Sequence, residues 1–221
     1  MAQLNFLVGD IAGNTEKVIA AALEARDRLR ADLIVFPELT LTGYPPEDLL
    51  LRPGFIRQVE PALQRLCGEI RGIAAVIGCP LPTPEGLRNA AVMLSDGAIR
   101  ASYYKQCLPN YSVFDEKRYF VPGQEPMVLT VAGARVGVTI CEDIWQSGPG
   151  VQAAKAGAQL LLNLNASPYH AGKGGERLDV LRQRVRESGI PIVYVNLLGG
   201  QDELVFDGGS MAVGADGALI R

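Results

Sequence analysis

Hydrophobic and polar positions follow two different spacings along this chain, and each spacing predicts its own kind of element. Apolar residues from Val18 to Leu29 recur at helical spacing after Asn14, which suits the start of a helix. Short apolar runs bounded by polar or glycine-rich segments predict strands. The predicted strands span residues 3–8, 33–36, 73–79, 89–95, 99–104, 127–131, 135–140, 159–164 and 192–196, with further short strands from residue 204 onward. The later predicted helices span residues 55–71, 151–156 and 176–188.

Turn residues add detail to this pattern. Asp96-Gly97 and Ala132-Gly133 each lie between two strand-like runs, so each pair of runs is predicted to form a β-hairpin. Residues 41–53 are rich in proline and glycine and are predicted to form a loop, and Pro61 is expected to disturb the second helix. The order β-α-β-α-β-β-β followed by β-β-α-β-α-β-β-β predicts a layered α/β domain with mixed sheets.

The composition narrows the class of protein without identifying it. The 221 residues are enough to bury the core of one domain, and hydrophobic and charged fractions of 48% and 20% are ordinary for a soluble globular protein. A net charge of −3, with no long apolar run and no signal-like N-terminus, argues against nucleic-acid and membrane partners. We therefore expect a cytoplasmic protein. Arginines interleaved with acids predict a solvated face on the last helix; they are Arg177, Arg182, Arg184 and Arg186.

The cysteines do not form a metal-binding or disulfide pattern. Cys67, Cys79, Cys107 and Cys141 show no CxxC spacing, and His170 is the only histidine in the sequence. Zinc sites are commonly built from closely spaced cysteines and histidines. We therefore expect reduced thiols and no metal site.

Three chemically competent side chains lie just beyond predicted strands. They are the carboxylate of Glu38, the ammonium group of Lys105 and the thiol of Cys141. Ligand sites in layered α/β folds are built at the carboxyl ends of strands. A carboxylate, an ammonium group and a thiol in such places predict a thiol hydrolase that works without histidine.

Each of these residues also has an ordinary structural interpretation. Most free cysteines in apolar sequence are inert, but Cys141 is followed directly by acidic residues, which are costly beside a core strand unless they serve a purpose. Glu38 is a better candidate base than His170, because a carboxylate buried at a strand end holds a proton more readily. Lys105 either stabilises the thiolate and the developing oxyanion or is an exposed lysine at a strand end.

The ordered set of Glu38, Lys105 and Cys141 resembles the nitrilase superfamily of carbon–nitrogen hydrolases, and the resemblance covers essentially the whole chain. It implies a four-layer α-β-β-α sandwich, a subdivision of the α/β class. It also implies that Glu38 is the general base, that Cys141 is the nucleophile that forms a thioester, and that Lys105 stabilises the transition state.

The same resemblance implies further contacts around the nucleophile. The main-chain N–H of Glu142 is expected to contact the oxyanion. A second glutamate of the family, close to the lysine, corresponds best to Glu116, although Asp115 is adjacent.

Longer segments are similar to the glutaminase domains of glutamine-dependent NAD synthetases. These segments are residues 8–14, 41–50, 105–111, 113–120, 141–145 and 165–173. The similarity implies that Tyr111 and Ser167 lie near a bound glutamine and that Lys173 faces its α-carboxylate. A free amino acid carries two opposite charges, so its pocket needs a cation as well as oxygen acceptors. Tyr111 has a structural alternative, as an aromatic side chain packed within a loop.

This resemblance implies that residues 1–221 are a glutaminase domain that hydrolyses L-glutamine to glutamate and ammonia. The chain contains no phosphate-binding glycine-rich loop and ends abruptly after the run at residues 218–220, so we expect a fragment that lacks the C-terminal synthetase domain and a last strand. No cofactor is expected for this domain, while ATP and Mg are expected only with the synthetase domain. The expected partners are L-glutamine, the synthetase domain and further copies of the chain in a homo-oligomer.

Two other functions stay open from the sequence. The first is a free-standing amidase of the same superfamily that acts on another small amide or carbamoyl compound. The second is a catalytically silent domain kept for oligomer assembly or partner gating.

Overall fold

The computed structural model of the protein describes residues 1–220, so Arg221, the last residue of the predicted domain, lies outside the described part. The strands are β1 (Leu33–Val35), β2 (Ala74–Thr83), β3 (Gly86–Ser95), β4 (Ala98–Tyr104), β5 (Met127–Val131), β6 (Ala134–Ile140), β7 (Leu160–Asn165), β8 (Ile192–Asn196), β9 (Leu198–Gln201), β10 (Leu204–Asp207) and β11 (Met211–Val213). The α-helices are α1 (Ile11–Asp27), α2 (Pro53–Ile56), α3 (Val59–Glu69), α4 (Gly148–Lys155) and α5 (Lys173–Ser188). Short 3-10 helices cover Glu47–Leu51, Glu116–Arg118 and Cys141–Ile144.

Two mixed sheets form the centre of the domain. The first has the strand order β1-β2-β3-β4, in which only β1 and β2 are parallel. The second has the order β11-β8-β7-β6-β5, with β6, β7 and β8 parallel and both edge strands antiparallel. A separate two-stranded ribbon pairs β9 with β10.

Successive residues of the central strands point to opposite faces of their sheet, and both faces are buried. In β2, Val76 faces the second sheet while Ile77 packs in the cluster that contains α1 and α3. In β7, Leu162 faces the first sheet while Leu161 packs in the cluster that contains α4 and α5. The layers therefore follow the order helix, sheet, sheet, helix, and the predicted four-layer α-β-β-α sandwich is confirmed.

Both predicted hairpins are present, and their turn residues explain them. Asp96 and Gly97 have φ angles of 49° and 75°, and Ala132 and Gly133 have φ angles of 47° and 84°. Two successive left-handed residues characterise the two-residue turn whose twist matches that of paired strands. These turns connect β3 to β4 and β5 to β6.

The predicted first strand is wrong. Residues 3–8 carry no strand, because their backbone makes isolated hydrogen bonds instead of a ladder. The N–H of Ala2 donates to the carbonyl of Val35, and the N–H of Leu198 donates to the carbonyl of Leu4. The strand β9, which begins at Leu198, was not predicted, since its glycines give no strand pattern.

The predicted helix starts also need correction. Asp10, not Asn14, caps α1: its carboxylate accepts the N–H of Gly13, whereas Asn14 is buried within the helix and bonds to the carbonyls of Leu7 and Leu41. The predicted helix at 55–71 is two helices, α2 and α3. Pro61 does not cause the break, because it lies in the first turn of α3, where a missing N–H costs no helical hydrogen bond.

The prediction of a solvated arginine face on α5 is wrong for two of its four arginines. Arg177 and Arg184 are buried, with exposures of 1% and 5%. The guanidinium group of Arg177 donates to the Asp207 carboxylate at 2.8 Å and to the carbonyl of Ser167 at 2.8 Å. A buried charge is tolerated when it is paired in this way. Arg177 thereby joins α5 to β10 and to the segment after β7.

No helix among residues 1–220 is long and apolar enough to cross a membrane.

Gly78 allows the segment that carries Glu38 to lie directly on β2. A methyl group at Gly78 would lie 2.5 Å from both the N atom of Leu39 and the carbonyl oxygen of Pro37. We expect Gly78→Ala to lower the free energy of unfolding by about 1–3 kcal/mol, because backbone atoms must move to make room.

Urea denaturation measures this effect, and Gly68→Ala in α3 is the matched control. No atom lies within 4 Å of the added carbon at Gly68. That control should raise the free energy of unfolding by about 0.5–1 kcal/mol, as alanine does in a helix. Equal stability of the two variants would contradict the packing described here.

Candidate active site

Both sheets contribute side chains to one buried cluster. Glu38 follows β1 and Lys105 follows β4 in the first sheet, while Cys141 follows β6 in the second. Their exposures are 1%, 1% and 6%, so all three lie inside the protein. The structure brings together the three residues that the sequence singled out.

Lys105 lies between two carboxylates. Its Nζ is 2.7 Å from Oε1 of Glu38 and 2.8 Å from Oε1 of Glu116. Burial alone lowers the pKa of Lys105, but the charges of Glu116 and Glu38 raise it well above its ordinary value. The lysine is therefore an ammonium ion at neutral pH.

The two carboxylate oxygens of Glu38 have different surroundings. Oε1 accepts hydrogen bonds from Nζ of Lys105 and from Nδ2 of Asn89, both at 2.7 Å. Within the described chain no donor reaches Oε2, which is fully buried. One oxygen therefore anchors the side chain, and the other is left as an acceptor for a proton.

Cys141 lies at a sharp turn from strand to helix. Its φ of 42° is in the left-handed region, and it begins the 3-10 helix Cys141–Ile144 directly after β6. Such backbone strain in a side-chain-bearing residue is frequent at functional sites. Burial and then the charge of Glu38 raise the pKa of the Cys141 thiol well above its ordinary value, while Lys105 opposes the rise. The resting thiol is protonated, so it needs a base to react.

Glu116 completes the charged cluster. It is buried at the start of the 3-10 helix Glu116–Arg118, and its Oε1 also accepts the hydroxyl of Tyr44 at 3.2 Å. Burial raises the pKa of Glu116 to about 7, and the ammonium group of Lys105 limits the rise. The neighbouring Asp115 is exposed, so Glu116, and not Asp115, is the second carboxylate that contacts the lysine.

Tyr111 and Glu142 lie at the rim of the cluster. The hydroxyl of Tyr111 donates to Oε2 of Glu142 at 2.8 Å, and both residues line a cavity of about 770 Å³. This cavity borders the sequence neighbours of Lys105 and Cys141 but is not lined by those two residues themselves. Tyr111 stacks edge-on against Phe114 at 5.6 Å between ring centroids but is 55% exposed. It is therefore a rim residue that is accessible to a ligand.

The remaining predicted contacts, Ser167 and Lys173, lie after β7 and at the start of α5. Ser167 is buried, and its backbone N–H donates to the Asn196 side chain. The Nζ of Lys173 lies 4.0 Å from the centroid of the Trp145 ring and 3.1 Å from Glu176. The charge of Lys173 is thus already paired with a carboxylate and an aromatic ring.

The side chains of Cys79, Cys107 and His170 are not part of the charged cluster. Cys79 is fully buried, and burial raises its pKa; burial likewise raises the pKa of Cys107 to about 12. His170 is exposed and faces Glu176 at 3.6 Å. In the part of the chain that the structure describes, no group of three or more histidine, cysteine or acidic residues could hold a metal ion.

Sequence reasoning did not assign a partner to three buried polar neighbours of the cluster. Asn89 lies in a predicted strand, Tyr44 in a predicted loop, and Asp143 beside the nucleophile. Asn89 and Asp143 carried a signal, because a buried amide or carboxylate within apolar sequence needs a partner. Only the fold shows that the partner of Asn89 is Glu38, 51 residues away in the sequence.

Comparison with known proteins agrees with this geometry. The carbon–nitrogen hydrolase family matches the chain over residues 1–221. The chain belongs to the carbon–nitrogen hydrolase family. It is also similar to a solved amidase of the nitrilase superfamily from Nesterenkonia, with a TM-score of 0.88 and 33% identity over 99% of this chain and 83% of that one.

Other relatives of this carbon–nitrogen hydrolase are much longer than the chain. A glutamine-dependent NAD(+) synthetase from Xanthomonas campestris is 50% identical over 99% of this chain and 40% of its own length. The solved glutamine-dependent NAD+ synthetase from Acinetobacter baumannii has a TM-score of 0.96 and 40% identity, over 100% of this chain and 42% of that one. The chain thus spans about two fifths of these relatives.

The pKa of Glu116 predicts how stability depends on pH. The folded protein holds the Glu116 proton with a pKa of about 7, against an ordinary value of 4.5. The contribution of this group to stability therefore falls as the pH rises from about 4.5 to about 7. Because glutamine is neutral throughout, the melting temperature of Glu116→Gln minus that of wild type should be larger at about pH 8 than at about pH 5.

Differential scanning calorimetry at the two pH values measures this difference. Glu125→Gln is the control, because Glu125 is exposed and should give the same offset at both pH values. A Glu116→Gln offset that is equal at both pH values, or larger in acid, would contradict a raised pKa for Glu116.

Proposed function

We propose that this chain hydrolyses the side-chain amide of L-glutamine to glutamate and ammonia through a thioester on Cys141. The observation that carries the proposal is the division of labour at Glu38. One oxygen is fixed by Lys105 and Asn89, and the other is a buried acceptor without a donor among the described residues. A base held in this way suits a thiol whose pKa burial has raised.

The first half of the reaction forms the thioester. Oε2 of Glu38 takes the proton of the Cys141 thiol while sulfur bonds to the amide carbon. The negative charge that develops on the amide oxygen is stabilised by the ammonium group of Lys105 and the main-chain N–H of Glu142. The tetrahedral intermediate then expels ammonia, which takes the proton from Glu38 as the C–N bond breaks.

The second half returns the enzyme to its starting state. Water attacks the thioester carbon and gives a proton to Glu38. The C–S bond breaks, glutamate leaves, and the sulfur of Cys141 regains the proton from Glu38. Glu116 keeps Lys105 charged and in place during both halves, since it holds the same ammonium group from the other side.

The polar residues around the cluster support an amino acid as substrate. Tyr111 and Glu142 line the cavity, Ser167 is buried just after β7, and Lys173 lies over the ring of Trp145, four residues after Cys141. We assign Tyr111 and Ser167 to contacts with glutamine and Lys173 to its α-carboxylate, which would replace Glu176 as the partner of that lysine. The names of the longer relatives support glutamine as this substrate.

Ammonia from this domain would feed a synthetase part like that of the longer relatives. In that proposal the ammonia is consumed in making NAD from its deamido precursor. ATP and Mg belong to the synthetase part, and this domain needs no cofactor of its own. A cytoplasmic homo-oligomer that couples the two parts completes the proposal.

A free-standing amidase of the same superfamily is the second candidate. The observation behind it is the similarity to the Nesterenkonia amidase, with a TM-score of 0.88. A structure of that amidase carries the acetamide moiety of fluoroacetamide covalently added at its active-site cysteine, which supports a cysteine nucleophile for either candidate. The higher identity to the NAD synthetases, 50% against 33%, favours glutamine. The complete charged cluster argues against a catalytically silent domain.

Removing the nucleophile should abolish the reaction. We expect Cys141→Ala to release no ammonia from glutamine in a coupled glutamate dehydrogenase assay, because no thioester can form. Cys79→Ala is the control, since Cys79 is a buried core residue outside the cluster. Retained activity in the Cys141 variant would overturn the mechanism.

Parallel assays with glutamine, asparagine and propionamide separate the two candidate functions. Turnover of propionamide but not of glutamine would replace glutaminase with the amidase alternative.

Removing the buried ammonium group should slow turnover severely. We expect Lys105→Ala to lower kcat by about 10²–10³-fold, the effect of losing one oxyanion contact. Lys155→Ala at the exposed end of α4 is the control and should leave kcat unchanged. Steady-state kinetics measure both, and a loss below about tenfold for Lys105→Ala would indicate a structural role only.

A further inference from the structure

Asp143 is a buried carboxylate with four hydrogen-bond donors. Oδ1 accepts the backbone N–H groups of Gln106 at 3.1 Å and of Cys107 at 2.8 Å. Oδ2 accepts the hydroxyl of Tyr103 at 2.8 Å and the backbone N–H of Ile140 at 2.9 Å. The residue is 0% exposed, so these contacts replace the water that a carboxylate would otherwise bind.

The four donors belong to the two segments that carry the reactive groups. Tyr103, Gln106 and Cys107 flank Lys105, whereas Ile140 directly precedes Cys141. The first segment ends β4 of one sheet, and the second ends β6 of the other. Strand ladders hold residues within a sheet, but the two sheets meet through apolar packing, which has little directional preference.

We propose that Asp143 is a positioning residue that fixes the ammonium group of Lys105 relative to the thiol of Cys141. The Asp143 carboxylate accepts hydrogen bonds from residues on both sides of Lys105 and from the residue immediately before Cys141. It therefore fixes the position of the end of β4 relative to the end of β6. Charge-assisted hydrogen bonds are shorter and stronger than neutral ones, which suits them to hold such a distance. The inference rests on the proposed function for the roles of Lys105 and Cys141.

The charge balance supports this role. Burial raises the pKa of Asp143, and the N–H groups of Ile140 and Cys107 oppose that rise. All four groups that contact the Asp143 carboxylate are hydrogen-bond donors, so a neutral side chain that itself donates would not fit at this position. Asparagine has the right shape but places an NH2 group against two donors.

The test compares Asp143→Asn with Tyr103→Phe. We expect Asp143→Asn to lower kcat for glutamine about 100-fold, because misplacing a catalytic group by about 1 Å costs that much. The KM should change less than about threefold, since Asp143 is fully buried and does not line the cavity beside Tyr111 and Glu142. Tyr103→Phe removes one donor of four and should lower kcat by about tenfold with little change in KM.

A second readout does not depend on glutamine. Iodoacetamide alkylation of Cys141, followed by peptide mapping and corrected for the folded fraction from circular dichroism, should slow at least about tenfold in Asp143→Asn. This assay stands even if the substrate is another amide, so failure of the proposed function and failure of this inference are distinguishable. Folded Asp143→Asn with wild-type kcat and alkylation rate would overturn the inference.

Tyr103→Phe decides the matter if Asp143→Asn does not fold. An unchanged kcat in folded Tyr103→Phe would then overturn the positioning role. A fall in kcat at constant KM, together with slower alkylation of Cys141, would support it.

Discussion

Lys105 places a positive charge in the interior of the domain, and the rest of the site is arranged around that charge. An unpaired buried ammonium ion would be strongly destabilising, so two carboxylates accompany it. Both are drawn to the same Nζ from different parts of the chain, Glu38 from the end of β1 and Glu116 from the segment after β4. Burying these charges together is energetically costly, and the same burial and charges shift the pKa values of Lys105, Glu116 and Cys141.

The four-layer architecture explains why such a cluster can exist. Strands buried on both faces place these side chains in the interior of the domain, and Glu38 and Cys141 follow the carboxyl ends of β1 and β6. Gly78 of β2 packs tightly against the backbone on either side of Glu38, and this packing helps to hold Glu38 in position. The turn at Cys141 ends strand β6 and places the thiol close to the charged side chains of Glu38 and Lys105.

Much of this arrangement could be predicted from the sequence, since strand ends, hairpin turns and apolar runs are local features. The turns at Asp96-Gly97 and Ala132-Gly133 are examples, because backbone twist alone dictates their residues. The predictions failed where distant contacts override local pattern. Arg177 looks solvated in the sequence and is buried against Asp207, and Asn14 looks like a cap but joins two loops. The roles of Asn89 and Asp143 likewise depend on partners far along the chain.

In the proposed reaction, Glu38, Lys105 and Cys141 act as one unit that transfers the acyl group of glutamine to sulfur. Acid quenching of the protein during turnover, followed by intact-mass and peptide mass spectrometry, tests this most directly. We expect a glutamyl thioester on the peptide that contains Cys141 and on no other cysteine peptide. Turnover of glutamine with an adduct on a different cysteine, or with no cysteine adduct under conditions where hydrolysis of the thioester limits the rate, would contradict it.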